Sequence, residues 1–280
     1  MENQQVAEPV FDVTQPKEDE LDIRPLSGAL GAEVRGIDLK QLDESDFETI
    51  HSLLMQYSVL AIHDQAHLSD DDLRDFGLRW GELDVHGYSP TVKGFKDLLN
   101  IRSGPERRAS AEGWHSDVSW KEIPPKISML LARTVPSIGG DTVYASQYKA
   151  YEDLSDPMKD LLEQLDAEHD GRVFDIDLIR KPVRHPVVLR HPETGRKALY
   201  VNAGFTRRIA DLPPIESQGI LSMLYDHCTR VRYQARVRYE VGTLSIWDNR
   251  CVQHCAPPDY GYEERELHRV AVLCDERPAR

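Results

Sequence analysis

Two short stretches far apart in the sequence constrain this chain most, because together they carry the ligand set of one metal site. The first reads GWHSDVS at residues 113–119, and the second begins with WDN at residues 247–249. On a β-strand, His115 and Asp117 would point to the same face and could both reach one metal ion. The second stretch adds His254, and two imidazoles with one carboxylate are typical of non-haem Fe(II) oxygenases. We therefore predict that these three residues bind a metal and carry the catalysis.

Hydrophobic periodicity predicts several helices interspersed among many short strands. Four segments have apolar residues at helical spacing next to capping or terminating residues. They are 46–57 behind a capping box of Ser45 and Glu48, the segment between Ser69 and Gly81, the segment between Ser155 and Gly171, and 216–228. Short apolar or alternating runs predict the strands. These are 59–62, 98–102, 115–119, 127–134, 187–190, 198–201, 233–239, 244–247 and 267–274.

The order of these elements has no regular strand–helix–strand rhythm. A mainly β fold with helical cover, arranged as a sandwich or jelly roll, agrees with that order. Residues 1–20 are polar and contain a Lys-Glu-Asp-Glu run, which predicts a disordered N-terminal tail. We expect residues 21–280 to form a single domain.

The chain is acidic, with a formal net charge of −14. An acidic surface repels phosphate backbones, so we expect no nucleic-acid partner. The same field repels small anions, so an anionic substrate would need local arginines to hold it. The sequence has no run of about 18 apolar residues and no signal-peptide pattern, which predicts a cytoplasmic protein without membrane contact.

The four cysteines, at positions 228, 251, 255 and 274, are expected to be reduced thiols, as in most cytosolic proteins. Cys251, His254 and Cys255 are close enough in sequence to suggest a zinc site, but no second Cys or His pair lies at suitable spacing. We therefore expect the two cysteines to be packing residues.

Two arginines follow His254 at positions that could share one face of the last strand. If this strand begins near Arg265, the side chain of Arg269 points the same way. Two guanidiniums in one cavity would require anions, and a guanidinium can bind a carboxylate through two hydrogen bonds. The alternative is a pair of surface arginines that form ion pairs with three neighbouring glutamates.

Two further features have simple explanations when they are taken alone. The GGDT sequence at residues 139–142 predicts a tight hairpin turn. His86 would by itself be an ordinary loop histidine.

The chain resembles the taurine dioxygenase family of Fe(II)- and 2-oxoglutarate-dependent oxygenases, which includes alkylsulfatase and phenoxyalkanoate dioxygenase members. The resemblance covers roughly residues 22–276 and rests on five motifs that occur in the family's order and spacing. These motifs are WHSDV at 114–118, EIPP at 122–125, GGDT at 139–142, WDNR with His254, and the segment from Arg265 to Arg269.

The resemblance implies a fold, a distorted double-stranded β-helix or jelly roll, and a role for each site residue. It implies three iron ligands, which are His115, Asp117 and His254. It implies that the distal carboxylate of 2-oxoglutarate is held by Thr142 and Arg265. It implies a primary-substrate pocket lined by His86, Val118, Phe205 and Arg269. In the family, the second arginine binds the sulfonate, sulfate or carboxylate of the substrate.

The implied activity is hydroxylation of a C–H bond in a small organic anion, with O₂ consumed and succinate and CO₂ released. The resemblance also implies a homo-oligomer, a dimer or a tetramer. Taurine enzymes carry an asparagine where Ala111 stands, so we expect taurine to be a poor substrate. The alternatives are a zinc-dependent hydrolase on the same three ligands and a non-catalytic jelly-roll binding protein. Metal content, O₂ requirement and succinate release distinguish these three readings.

Overall fold

The structure of the protein, a computed structural model, describes residues 21–85, 89–106, 112–172 and 181–280. In these ranges the chain is mainly β, with helices against the sheets, as the sequence predicts. The tail predicted at residues 1–20 lies outside the described residues. Within the described ranges, none of the helices combines enough length and apolar character to cross a bilayer. All four cysteines are free thiols.

The strands are short, apart from two long ones near the middle and the end of the chain. They are β1 (Asp22–Pro25), β2 (Ala32–Arg35), β3 (Val59–Ile62), β4 (Leu99–Ser103), β5 (Pro125–Thr134), β6 (Thr142–Ser146), β7 (Asp166–His169), β8 (Val183–Pro186), β9 (Val188–Arg190), β10 (Lys197–Leu199), β11 (Thr206–Ile209), β12 (Gln234–Val237), β13 (Leu244–Asp248), β14 (Val252–Cys255) and β15 (Arg265–Leu273).

The helices are α1 (Glu44–Tyr57), α2 (Asp70–Trp80), α3 (Gln147–Glu152), α4 (Asp156–Leu162) and α5 (Pro214–Cys228), with a 3-10 helix at Val231–Tyr233. Helix α2 starts and ends as predicted, because Ser69 caps its first turn and Gly81 follows its last residue with a φ of 139°. Helix α1 begins two residues earlier than predicted. Its capping box is formed by Asp43 and Asp46 and not by Ser45 and Glu48.

The third predicted helix is wrong in its second half. Helix α4 ends at Leu162, and the residues that follow turn into β7 before Gly171 is reached. Strand β7 alternates half-buried and buried side chains, with Ala167 and His169 inward, and it pairs with both β8 and β11. This period of two, together with pairing partners distant in sequence, favours a strand over continued helix.

A seven-stranded sheet forms the main framework, in the order β1-β2-β3-β13-β5-β15-β4. All its pairs are antiparallel except β2 with β3. A three-stranded antiparallel sheet, in the order β12-β6-β14, contributes side chains to the same core as one face of the large sheet. A second three-stranded sheet, β11-β7-β8, and the hairpin β9-β10 complete the strands in the described ranges.

The central strands of the large sheet are buried on both faces, so alternate residues enter different cores. In β3, Leu60 and Ile62 pack with α1 and α2, whereas Val59 and Ala61 belong to the core that the large sheet shares with the β12-β6-β14 sheet. In the same way, Leu267 of β15 lies in the shared core. Strand alternation therefore directs Arg265 and Arg269 toward the space between the two sheets.

Candidate active site

His115 and His254 face each other across a short antiparallel bridge. The His115 N–H donates to the His254 carbonyl at 3.0 Å, and the His254 N–H donates to the His115 carbonyl at 2.8 Å. The two imidazole ring centres lie 4.3 Å apart. His254 belongs to β14, and the pairing of β14 with β6 anchors this half of the bridge in the β12-β6-β14 sheet.

Asp117 completes a group of three metal-ligating side chains. Its Oδ1 lies 3.7 Å from Nε2 of His115 and 4.0 Å from Nε2 of His254. One donor atom from each residue can be chosen so that all three lie within 4.8 Å of one another. Among the described residues, this is the one group of three or more His, Cys, Asp or Glu side chains with such geometry, and Cys251 and Cys255 are not part of it.

The segment around Asp117 is not the strand predicted at residues 115–119. Only His115 pairs, and residues 117–120 form a turn. Val118 has a φ of 50°, in the left-handed region where a β-branched residue is strained. The turn is held from outside, because the Ser119 hydroxyl lies 3.0 Å from both the Asn202 amide nitrogen and Nδ1 of His169. The turn, and not strand alternation, makes the side chains at 115 and 117 converge.

Each histidine presents a ring nitrogen that suits metal binding. Burial is the largest cause that lowers the pKa of His254 to about 3, so its imidazole is neutral at physiological pH. Nδ1 of His115 lies 2.8 Å from the Gly113 carbonyl. A carbonyl oxygen only accepts, so Nδ1 carries an N–H there and Nε2 is the nitrogen that can bind a metal.

The two carboxylate oxygens of Asp117 have different partners. While Oδ1 faces the histidines, Oδ2 accepts a hydrogen bond from the Ser128 hydroxyl at 2.7 Å and lies 2.8 Å from Nη2 of Arg269. Burial acts to raise the pKa of Asp117, but Arg269 and the two histidines outweigh it and hold the pKa well below its usual range. Two imidazole nitrogens and one ionised carboxylate oxygen therefore fit a divalent transition metal.

Asn249 supports this arrangement from the WDN motif, although the sequence analysis assigned it no role. Its amide nitrogen donates to the Ser128 hydroxyl at 2.8 Å. Its amide oxygen accepts from the Asp117 backbone N–H at 3.2 Å and from the Trp247 indole N–H at 2.9 Å. Ser128 and Asn249 thus hold both the backbone and the side chain of Asp117.

Arg265 and Arg269 are buried, with 4% and 6% of their surface exposed, so the interpretation as surface arginines is wrong. The three neighbouring glutamates bind elsewhere, to Ser137, Arg102 and Asn100 respectively. Nε of Arg265 donates to the Gly140 carbonyl at 2.6 Å. Among the described residues, no hydrogen-bond partner is found for its two terminal nitrogens, or for Nε and Nη1 of Arg269.

Thr142 begins β6, and Gly139 and Gly140 before it have φ values of 72° and 71°. The hairpin turn predicted here is wrong, because β5 and β6 lie in different sheets and do not pair. The segment also has a role at the site, because the Gly140 carbonyl holds Arg265. The Thr142 hydroxyl is buried and lies 3.1 Å from the hydroxyl of Tyr239. The guanidinium carbon of Arg265 lies 5.6 Å from the centre of the Tyr239 ring. Tyr239 is a residue that the sequence analysis missed.

A small apolar cluster borders the metal-ligating group. It consists of Val118, Trp120 and Phe205, and the Phe205 ring centre lies 6.0 Å from that of His115, with the two planes perpendicular. Three of the four predicted substrate residues, Val118, Phe205 and Arg269, therefore lie next to the metal-ligating group. The fourth, His86, and also Ala111 lie outside the described residues, so their placement stays a prediction.

Comparison with known proteins agrees with the family resemblance seen in the sequence, and it covers most of the chain. The family model described as taurine catabolism dioxygenase TauD, TfdA family matches residues 22–271. An alpha-ketoglutarate-dependent sulfate ester dioxygenase of Pseudomonas putida is 34% identical over 279 residues, which cover 92% of this chain and 91% of that protein.

Solved structures agree with the sequence comparison. A taurine dioxygenase from Burkholderia xenovorans superposes with a TM-score of 0.81 at 32% identity, covering 91% of this chain and 92% of that one. The structure of AAD-2 in complex with Mn(II) and N-oxalylglycine superposes with a TM-score of 0.79 at 27% identity, covering 92% of this chain and 99% of that one. The chain therefore belongs to the taurine catabolism dioxygenase TauD, TfdA family and is similar to relatives named as alpha-ketoglutarate-dependent dioxygenases.

Proposed function

We propose that this dioxygenase hydroxylates a C–H bond of a sulfonate, an alkyl sulfate or an aryloxyalkanoate, using Fe(II), 2-oxoglutarate and O₂. The observation that carries the proposal is the pair of buried arginines on one strand face beside the His-Asp-His group. Both side chains are largely buried and keep guanidinium nitrogens without protein partners, which suits them to bind anions, and the reaction has two, the cosubstrate and the substrate. The Pseudomonas putida relative named for sulfate esters supports this substrate class.

His115, Asp117 and His254 would hold the iron through Nε2, Oδ1 and Nε2. When bound, Fe(II) supplies the chemistry that activates O₂, converts 2-oxoglutarate to succinate and CO₂, and oxidises the substrate C–H bond. The relative solved with Mn(II) and N-oxalylglycine supports a divalent metal next to a ligand that resembles 2-oxoglutarate. The protein's part is to position these groups and to exclude water from them.

Arg265 and Thr142 would hold the distal carboxylate of 2-oxoglutarate. The Gly140 carbonyl fixes Nε of Arg265, so the two terminal nitrogens are left to bind both carboxylate oxygens. The Thr142 hydroxyl adds a third donor next to them. These contacts orient the cosubstrate before any reaction takes place.

Arg269 would bind the anionic group of the substrate. Its Nη2 is engaged by Asp117 and Ser128, so the anion would meet Nη1 or Nε, which lie on different edges of the guanidinium. Val118 and Phe205 would contact the apolar body of the substrate, with Trp120 behind them. We place His86 in the same pocket on the family resemblance.

We further propose that the facing sheets form a distorted double-stranded β-helix in one domain at residues 21–280. The antiparallel pairing and the core shared between the seven-stranded sheet and the β12-β6-β14 sheet support this arrangement. We also propose a cytoplasmic homo-oligomer, a dimer or a tetramer, which light scattering of the purified protein would test.

The direct test is substrate-dependent succinate release. Purified protein with Fe(II), 2-oxoglutarate and O₂ would be assayed against alkyl sulfates, hydrophobic sulfonates and aryloxyalkanoates, with taurine as the small aminosulfonate. We expect succinate to rise with at least one of the three classes, and Asp117→Ala to abolish the rise.

Other outcomes identify the alternatives. Zinc in the purified protein with substrate turnover that needs no O₂ would indicate a hydrolase. Tight binding of an anion without turnover, in protein loaded with Fe(II), would indicate a binding protein. Either result would contradict the proposal.

A further inference from the structure

Four hydroxyl groups form a continuous row that ends at Thr142 and includes Tyr239, whose ring lies beside Arg265. The Tyr144 hydroxyl donates to Ser245 Oγ at 3.2 Å, and Ser245 Oγ lies 2.7 Å from the Tyr239 hydroxyl. The Tyr239 hydroxyl lies 3.1 Å from Thr142 Oγ1. All four residues are buried, with exposed fractions between 0% and 6%. The row runs through the core shared by the two facing sheets.

Each hydroxyl carries one proton, so a bound carboxylate would select one arrangement of the protons in the row. Tyr144 donates to Ser245, and Ser245 would then donate to the oxygen of Tyr239. Tyr239 would donate to Thr142. The proton of Thr142 would then be donated to a carboxylate bound to Arg265.

Tyr239 also supports the arginine itself. The guanidinium carbon of Arg265 lies 5.6 Å from the Tyr239 ring centre, within the range of cation–π attraction, while Nε of Arg265 is fixed by the Gly140 carbonyl. Its hydroxyl contacts Thr142 and its ring lies beside Arg265, so Tyr239 contacts both groups that face the distal carboxylate.

We propose that Tyr239 is a positioning residue for the distal carboxylate of 2-oxoglutarate. Its hydroxyl directs the Thr142 proton toward the carboxylate, and its ring supports the Arg265 guanidinium. The inference rests on the proposed assignment of Thr142 and Arg265 to the cosubstrate. It adds a residue that would contact neither the cosubstrate nor the metal and would act through Thr142 and Arg265.

The test is Tyr239→Phe, which removes the hydroxyl and keeps the ring. The variant loses the hydrogen bonds of Tyr239 to Ser245 and Thr142. Loss of the bond that directs the Thr142 proton should raise the KM for 2-oxoglutarate, and its Kd measured by calorimetry without O₂, by about fivefold. The kcat, the KM for the primary substrate and the Kd for Fe(II) should not change. Tyr239→Leu, which also removes the ring, should raise the KM and the Kd for 2-oxoglutarate further.

A second break in the row separates this effect from a general loss of packing. Ser245→Ala interrupts the row one step earlier and should also raise the KM for 2-oxoglutarate, by a smaller factor. The matched control is Tyr148→Phe, which removes a buried tyrosine hydroxyl that bonds to Thr194 away from the site. It should leave the KM for 2-oxoglutarate unchanged.

An unchanged KM for 2-oxoglutarate in Tyr239→Phe, or an equal rise in Tyr148→Phe, would overturn the inference. Arg265→Gln distinguishes this failure from failure of the proposed function. If Arg265→Gln raises the KM for 2-oxoglutarate strongly and Tyr239→Phe does not, the carboxylate site is supported and the role of Tyr239 is contradicted. If neither variant changes this KM, the assignment of the carboxylate site is contradicted as well.

Discussion

At the scale of single residues, the site depends on how the oxygens of Asp117 are divided. Oδ2 is held by Ser128 and Arg269, which leaves Oδ1 toward the two histidines. Groups that orient a metal ligand typically change metal affinity by about 10- to 100-fold when they are removed. We therefore predict that Ser128→Ala weakens Fe(II) binding by about tenfold, as measured by anaerobic titration of the metal-free protein.

A neighbouring serine provides the control for this prediction. The Ser116 hydroxyl is also buried, but it donates to the Val252 carbonyl and not to a ligand. Ser116→Ala should therefore leave the Kd for Fe(II) close to that of the wild type. Equal weakening in both variants would show that Ser128 acts only through packing.

The sequence was informative about ligands and less informative about the groups that hold them. His115, Asp117 and His254 could be grouped because their residue types and spacing match a known kind of metal site. Ser128 and Asn249 could not, because a serine or an asparagine gives no local sign of a contact with Asp117, and the Asn249 contact spans 132 positions. The turn at residues 117–120 was missed because its hydrogen bonds come from Asn202 and His169, far away in the sequence.

At the scale of elements, helix α2 packs closely on β15, the strand that carries both arginines. A Cβ added to Gly77 of α2 would lie 2.6 Å from a methyl group of Val270. Overpacking of this kind typically costs about 1–3 kcal/mol, more than the gain of about 1 kcal/mol in helix propensity. Gly77→Ala should lower the free energy of unfolding, as measured by urea denaturation.

Gly219 in α5 is the matched control for Gly77. It is exposed, and a Cβ added there would meet nothing within 4 Å. Gly219→Ala should therefore stabilise the protein by about 0.5–1 kcal/mol. A stabilising Gly77→Ala would show that α2 and β15 are packed less tightly than the structure indicates.

Two buried histidines on paired strands, His169 of β7 and His185 of β8, predict a pH-dependent stability. Burial lowers the pKa of His185 to about 4, and burial together with the charge of His185 lowers the pKa of His169 further. The unfolded chain takes up these protons near pH 6.5 and the folded protein does not, so stability falls as the pH drops from about 6.5 toward 4. The loss approaches about 1.4 kcal/mol per pH unit for each histidine.

His185→Gln tests this contribution, because its amide N–H can replace the donor to the Lys121 carbonyl. The dependence of the unfolding free energy on pH should be shallower in the variant between pH 6.5 and 4. An unchanged slope would exclude His185 as a source of the acid sensitivity.

Elements with strong local signals were predicted, and elements defined by distant partners were not. Helix α2 could be located from its cap and its terminating glycine, and β3 from its apolar run. Strands β1 and β7 were among the strands that were missed, because each is four residues long and two of the four are charged. They form only because another strand supplies hydrogen bonds.

At the scale of the whole molecule, the strand order places the arginines. Strand β15 lies between β5 and β4, and β13 lies between β3 and β5, which no local pattern could predict. This order brings one face of β15 toward β6 and β12, so Arg265 and Arg269 are directed inward in a protein with a net charge of −14. A net negative charge repels anions and buried guanidiniums attract them, so we expect anions to be selected inside the protein.

The last prediction concerns the substrate that meets Arg269. Arg269→Ala, assayed at saturating Fe(II) because the variant also frees Oδ2 of Asp117, should lower kcat/KM for an anionic substrate by at least about 30-fold. The KM for 2-oxoglutarate, which we propose is held by Arg265, should change much less. Ala111 offers no side-chain hydrogen bond for an amine, and Val118 and Phe205 offer apolar surface. A pocket of this kind distinguishes weakly among apolar bodies, so hydrophobic sulfates, sulfonates or aryloxy acids should be used better than taurine. The measurement is kcat/KM for these compounds side by side, and a clear preference for taurine or for a neutral compound would contradict the role given to Arg269.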